Sequence, residues 1–170
     1  DGQLHSLVTF NDMKQFLNPV ASPDGKQVAF LYDADNPEFD YLLGLGIVST
    51  DANKQNAITR LTQNFKLSHQ QWSVDSQQIY VLRTFGAYKQ LYTIKTHNGV
   101  LNQLTNLPQN IINYALSPNG KRLAWISEDA HSVSFLHIAD SNGNNIETLF
   151  KSSIAPDDIA LSEVREIEWE

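Results

Sequence analysis

Three stretches of the chain alternate apolar and polar positions with a period near two, each directly after a polar turn. They are QVAFLY (27–32), QIYVLR (78–83) and RLAWIS (122–127). Such a period, rich in β-branched and aromatic residues, predicts strands. Each is followed by a second alternating stretch: LGIVSTDAN (45–53), LYTIKTHNG (91–99) and FLHIADSNG (135–143). These end in Asn/Gly-rich segments of the kind that reverse a hairpin. A third short stretch closes each unit: ITRLT (58–62), LNQLT (101–105) and IETLF (146–150). With a short strand before the turn, each unit reads as a meander of four antiparallel strands.

The turns set the repeat. Ser22-Pro23-Asp24-Gly25 and Ser117-Pro118-Asn119-Gly120 are near copies, and Ser73-Val74-Asp75-Ser76 is a blurred third. Proline presets φ near −65°, Asp or Asn tolerates the next position, and Gly supplies positive φ. The middle copy lacks both Pro and Gly, which predicts a looser turn. The offsets are 51 residues (22 to 73) and 44 residues (73 to 117), and a period in the forties is that of a four-stranded propeller blade. REIEWE (165–170) resembles the strand before a turn, with Trp169 placed like Trp72.

The predicted fold is therefore all-β: a partial β-propeller of three four-stranded antiparallel blades plus the first strand of a fourth. Its segments are an N-terminal arm (1–18), blades at 19–64, 65–110 and 111–164, and a truncated blade at 165–170. Three blades do not close a ring, so the chain is expected to be a fragment of a longer protein, and open blade edges would allow self-association. The alternative is a complete β-sandwich whose last strand happens to resemble a blade start.

The arm reads differently. In VTFNDMKQFLNP, Thr9 to Asp12 has capping-box spacing with Asp in place of Glu or Gln. Phe10, Met13, Phe16 and Leu17 would share one helical face, and Pro19 ends the run. A short helix is expected, folded on its own blade or docked on another domain.

Composition narrows the function classes. The net charge is −7 and the basic residues are scattered, which argues against a nucleic-acid or anionic-membrane surface. There is no cysteine, hence no disulfide, thiol nucleophile or thiolate metal site. The longest apolar run, YLLGLGIV (41–48), is too short to span a bilayer as a helix. The chain starts at Asp1 without Met, so a cleaved leader and a cut product are both open, with a slight lean to the periplasm.

The repeat W-S-P-D-G-K-x-[IVL]-A-[FW], followed by [LI]-Y-x-[IV] and x-L-T, resembles the TolB-type propeller repeat. That repeat also builds the N-terminal propeller of the prolyl oligopeptidase family of serine peptidases. The opening is similar to that of acylaminoacyl-peptidase-like members, through Thr9, Asp12, Met13, Pro19, Ser22 to Lys26, Ala29 and Phe30. The resemblance implies a propeller that gates peptide access to a C-terminal α/β-hydrolase domain, which would be this chain's partner along with the peptide substrate. It equally allows a non-enzymatic, periplasmic TolB-like scaffold for other proteins. The sequence departs from the pattern in blade two, in an insertion at DADNPEFDYLLG (33–44), and in lacking a G-x-S-x-G nucleophile elbow. No catalytic residue is therefore assigned, and no cofactor or metal.

The remaining candidates are few. His5, His69, His97, His131 and His137 lack the i, i+4 spacing of a helical metal site, although His131 and His137 could share a strand face. Asp33, Asp35, Glu38 and Asp40 lack the central glycine of a calcium loop, so a solvated rim is expected. Phe39 and Tyr41 in that insertion, and Arg83, Phe85 and Tyr88 in RTFGAYKQ, are the candidate binding residues, for substrate or for a neighbouring domain. Trp72 and Trp169, at the same repeat position, are expected to serve blade-to-blade packing.

Overall fold

The structure is a computed structural model that describes residues 13–34, 42–51, 58–131, 133–152, 162 and 167. Among the described residues every regular element is a strand: β1 (Met13–Ala21), β2 (Gln27–Ala34), β3 (Leu43–Ser49), β4 (Ile58–Trp72), β5 (Gln78–Phe85), β6 (Tyr88–Lys95), β7 (Leu101–Gln103), β8 (Asn110–Leu116), β9 (Arg122–Glu128), β10 (Ser134–Asp140) and β11 (Glu147–Lys151). Strands β1 to β7 lie in sequence order in one sheet, and β8 to β11 form a second, also in chain order. The ladders β1–β2, β2–β3, β3–β4, β6–β7, β8–β9, β9–β10 and β10–β11 are all antiparallel. The meander expected from the alternation is what forms. Strand β4 runs unbroken through the expected blade boundary at 64/65, closing the first meander and opening the second.

The N-terminal helix is not found where it can be checked. Residues 13–17 belong to β1, with Phe16 opposite Tyr32 and Leu17 opposite Leu31, while residues 1–12 lie outside the described residues. The helical spacing of Met13, Phe16 and Leu17 is overridden by the ladder. Bulges in β1 turn the Phe16 ring edge-on to Phe30 at 5.4 Å. Strand β1 is paired with β2 from Met13 on, within the stretch read as the arm.

The three turns are alike, and the middle one is not looser. In each, the leading serine's N–H bonds the carbonyl five residues on: Ser22 to Gln27 at 2.8 Å, Ser73 to Gln78 at 2.8 Å, Ser117 to Arg122 at 2.9 Å. In each, the serine hydroxyl donates to the Asp or Asn two residues on: Asp24 at 2.7 Å, Asp75 at 2.6 Å, Asn119 at 2.8 Å. The fourth residue sits at positive φ throughout: Gly25 at 69°, Ser76 at 60° and Gly120 at 69°. The Ser–Asp side-chain pair holds the turn without Pro or Gly, and the Ser76 hydroxyl also accepts from the Asp24 N–H at 3.3 Å.

The chain divides into two compact units, residues 1–83 with 92–103 and residues 84–91 with 104–170. In the first unit, Ala29, Leu31, Leu45 and Ile47 share one face of β2–β3 by parity and register. They are buried in one cluster with Trp72, Ile79, Val81, Tyr92 and Ile94. The Trp72 indole N–H donates to the Val20 carbonyl at 2.9 Å, and the Gln70 side-chain amide donates to the carbonyl of Asn18. The opposite face of the same strands carries a smaller cluster of Phe30, Tyr32 and Val48. Each fully buried aliphatic side chain here contributes about 1.5–3 kcal/mol of transfer free energy.

In the second unit, β9 and β10 bury Leu123, Trp125, Ser127, His137 and Ala139 on one face. Their other face carries Ile126 and Leu136, paired in register, and Phe150 on β11 opposite Leu136.

Candidate functional site

Arg83 sits near the end of β5, half-buried, with its guanidinium carbon 4.1 Å from the centroid of the Phe65 ring and 5.5 Å from that of Tyr92. The planar cation is held against two ring faces, an arrangement that strengthens as water is removed. All three residues belong to the first unit.

Phe85 and Tyr88 belong to the second unit. They flank Gly86-Ala87, and Gly86 takes φ 61°, as the first central residue of a two-residue hairpin loop requires. That geometry projects Phe85, which is 70% exposed, while Tyr88 is half-buried. The hairpin is tied to the strand that follows it: Lys89 N–H donates to Asn110 Oδ1 at 2.9 Å, and the Gln90 side-chain amide donates to the Leu107 and Gln109 carbonyls at 2.9 and 2.8 Å. Gln90 is itself buried. Phe39 and Tyr41 lie outside the described residues, as do Asp35, Glu38 and Asp40. Among the described residues no group of three His, Cys, Asp or Glu could hold a metal ion.

The histidines separate. His131 lies exposed in the β9–β10 turn, whereas His137 is buried on β10, so the two do not share a face. His137 stacks on Trp125 at 5.2 Å and on Phe135 at 5.9 Å. Its Nδ1 lies 3.0 Å from Thr148 Oγ1, and its Nε2 lies 3.1 Å from Ser127 Oγ and 3.3 Å from Gln109 Oε1. The Ser127 hydroxyl donates to Gln109 Oε1 at 2.7 Å. One hydrogen-bond direction satisfies every atom: Thr148 donates to Nδ1, Nε2–H donates to Ser127, and Ser127 donates to Gln109. Burial holds the imidazole pKa below its ordinary value.

The alternating parity of RLAWIS and FLHIAD could have pointed to this network, because it puts Ser127 and His137 on one face once the hairpin is drawn. It is not a nucleophile–base pair. Ser127 is wholly buried, its proton is directed to an amide, and among the described residues the ring's partners are Thr148, Ser127 and Gln109 rather than a carboxylate.

Comparison with solved structures settles the architecture. The chain superimposes on the putative TolB of Agrobacterium tumefaciens with a TM-score of 0.64 at 20% identity, over 81% of this chain and 51% of that one. It has the TolB-type β-propeller fold. Puromycin hydrolase matches with a TM-score of 0.64 at 15% identity, over 80% of this chain and 22% of that one. The β-propeller domain of the trilobed protease from Pyrococcus furiosus, described as having an open velcro topology, matches with a TM-score of 0.57 at 16% identity, over 82% and 43%. The chain therefore spans about half of the TolB chain and under a quarter of the hydrolase. No family model and no curated protein matches the sequence.

Proposed function

We propose that this chain is a section of the propeller of a serine peptidase of the prolyl oligopeptidase type. In this reading it gates peptide access to a catalytic α/β-hydrolase domain carried elsewhere in the parent. The chemistry would reside in that domain, and the role of this section would be steric: admitting short or extended peptides and excluding folded proteins. The exposed Phe85 and the half-buried Tyr88 on their hairpin, and the ring-clamped Arg83, are the side chains offered to peptide or hydrolase domain.

One observation carries the reading of the chain as part of a longer propeller. Backbone N–H groups of Thr50, Thr96 and Ser141 bond the carbonyls of Lys26, Gln77 and Lys121, which makes these residues equivalent in the three repeats. Counting back five residues makes Leu45, Leu91 and Leu136 equivalent, and counting nine on from Ser22, Ser73 and Ser117 does the same for Leu31, Leu82 and Ile126. Leu31, Leu45, Leu82 and Leu91 are at most 1% exposed, whereas Ile126 and Leu136 are 46% and 37% exposed. The third repeat bares the face that the first two bury, as expected where a further sheet follows.

The fold by itself does not choose between a peptidase gate and a TolB-like scaffold; the sequence resemblance of the opening segment favours the peptidase. The test uses the full-length parent. It should turn over aminoacyl or acyl-aminoacyl chromogenic amides and take up a serine-directed phosphonate, while this section alone does neither. A parent that shows neither turnover nor labelling would make the chain a scaffold.

A further inference from the structure

We propose that Asn18 and His69 form a binding position for the main chain of an extended peptide, with the carboxamide and the imidazole hydrogen-bonding to its peptide groups. The inference rests on the peptide-handling reading above and names side chains that hold the substrate.

Backbone strain singles out the place. Among the described residues, the non-glycines at positive φ are Asn18, His69, Ser76 and Asn145. Ser76 and Asn145 lie between strands, whereas Asn18 at 51° and His69 at 56° lie inside β1 and β4. Each stands four residues before its turn serine (18 to 22, 69 to 73), so the two hold one position in successive repeats. Asn113 holds it in the third repeat, at a register shift in β8. Asn18 also precedes Pro19, and a following proline pushes a residue toward extended φ. Such a conformation persists only where the surroundings enforce it. Gln70 supplies the enforcement: its side-chain amide donates to the Asn18 carbonyl. Gln70 is 8% exposed, and its Oε1 is buried with no hydrogen-bond partner among the described residues. A half-satisfied buried amide is a second cost added to the strain.

What these costs deliver is two polar side chains at one level. The Gln70 amide reaches Asn18, the Trp72 indole reaches Val20, and the Asp24 N–H reaches Ser76, each bond spanning 52 residues. The constant offset means that β1 and the end of β4 run side by side in the same direction. Asn18 is therefore level with Gln70, and His69 is the residue before it. Both Asn18 and His69 are exposed, and both belong to the first compact unit. The register shift between Leu17 and Val20 interrupts the alternation of β1 and re-aims what it carries. A carboxamide presents a donor and an acceptor side by side, and a neutral imidazole presents one of each. The peptide group has the same pairing, one N–H and one C=O. An extended chain repeats that pairing along its length, which suits two recognition groups on neighbouring strands.

NMR titration of the intact chain with the uncharged peptide acetyl-Ala-Ala-Ala-amide tests the proposal. The Asn18 carboxamide and His69 imidazole resonances are assigned by their loss in Asn18→Gly and His69→Gly. The expected result is a saturable shift at both groups with one shared midpoint, weakened about tenfold in either variant. The same peptide with its main-chain nitrogens methylated should shift neither. Asn18→Gly should also leave the urea midpoint unchanged or raise it, because glycine accepts this φ without strain. The proposal is overturned if neither group shifts, if the methylated peptide shifts both equally, or if maltose, a neutral ligand without peptide groups, does so. A lowered urea midpoint in Asn18→Gly would overturn it too, since the side chain would then serve the fold. A parent that hydrolyses no amide would leave this titration standing, and an absent shift here would leave hydrolysis by the parent standing, so the two proposals fail separately.

Discussion

Gly99 lies directly against the backbone of Leu61: a Cβ built on the glycine would stand 2.4 Å from the Leu61 carbonyl oxygen. The relationship recurs in the next repeat, where a Cβ on Gly143 would stand 2.6 Å from the Leu104 carbonyl. Both glycines hold positive φ, 69° and 84°. The x-L-T of one repeat and the hairpin glycine of the next are thus two halves of one contact. Gly99→Ala and Gly143→Ala should each destabilise the protein by about 2–4 kcal/mol, from left-handed strain plus a displaced backbone. Urea titration should show a lowered midpoint for both. Gly25→Ala is the control: nothing lies within 4 Å of its Cβ position, so only the strain of about 1–2 kcal/mol should appear.

Ser76 separates strain from hydrogen bonding. It is a non-glycine at φ 60°, and its hydroxyl accepts from Asp24 N–H at a long 3.3 Å. Ser76→Gly should relieve about 1 kcal/mol of backbone strain and lose a weak bond, leaving stability within about 0.5 kcal/mol of the parent. Ser76→Ala keeps the strain and loses the bond, and should cost about 1 kcal/mol. The two unfolding midpoints, measured side by side, check the difference.

These turns also show how far the sequence could be read. The period-two alternation, the turn offsets and the x-L-T endings were enough to place the four-stranded meanders, because each reports a local requirement of backbone or sheet face. The second turn is as tight as the others because neither proline nor glycine is necessary to it. The Ser73–Asp75 pair replaces them, and Ser occupies the same positions in the other copies. The expected helix gives way to strand across Met13–Leu17 because β2 offers these residues a ladder, which helical periodicity does not register. The candidate site was legible only in part. Phe85 stands exposed on its hairpin, but Arg83 is clamped by Phe65, eighteen residues away (65 to 83), a contact no spacing rule encodes. The buried His137 network needs Gln109 and Thr148 from beyond its own hairpin, which local pattern does not supply.

The Ser–Asp pairs predict an acid limb in the stability curve. Asp75 is held below its ordinary pKa, first by the Ser73 hydroxyl and then by the Gln77 N–H, against a smaller opposing desolvation. Asp24 is lowered in the same way, first by Ser22 and then by the Lys26 N–H. A carboxyl with a depressed folded pKa adds stability that is present above its unfolded value, about 3.9, and lost as pH falls through the folded value. Asp75→Asn, which keeps the acceptor as Asn119 does in the third repeat, should flatten the curve below about pH 4. The converse change, Asn119→Asp, should steepen it. Thermal unfolding across pH 2–6 reads both, and identical acid limbs in all three proteins would refute the assignment.

His137 works in the opposite chemical sense but with the same slope. Its neutral form is the one the network accommodates, since Nδ1 accepts from Thr148 while Nε2–H donates to Ser127. Protonation would turn Nδ1 into a donor facing a donor and force Thr148 to rotate. Burial lowers the folded pKa below the ordinary 6.5, so between those values the unfolded chain binds more protons than the folded one. Stability is therefore full above about pH 6.5 and declines as pH falls toward the folded value. His137→Phe keeps the stacking on Trp125 and Phe135 and leaves Ser127 bonded to Gln109, so it should remain folded at a cost of about 1 kcal/mol. It should also lose the pH-dependent limb just below 6.5, which distinguishes it from a variant that merely loosens packing. Urea midpoints between pH 5 and 8 provide the measurement; a limb unchanged in His137→Phe would assign the titration to another group.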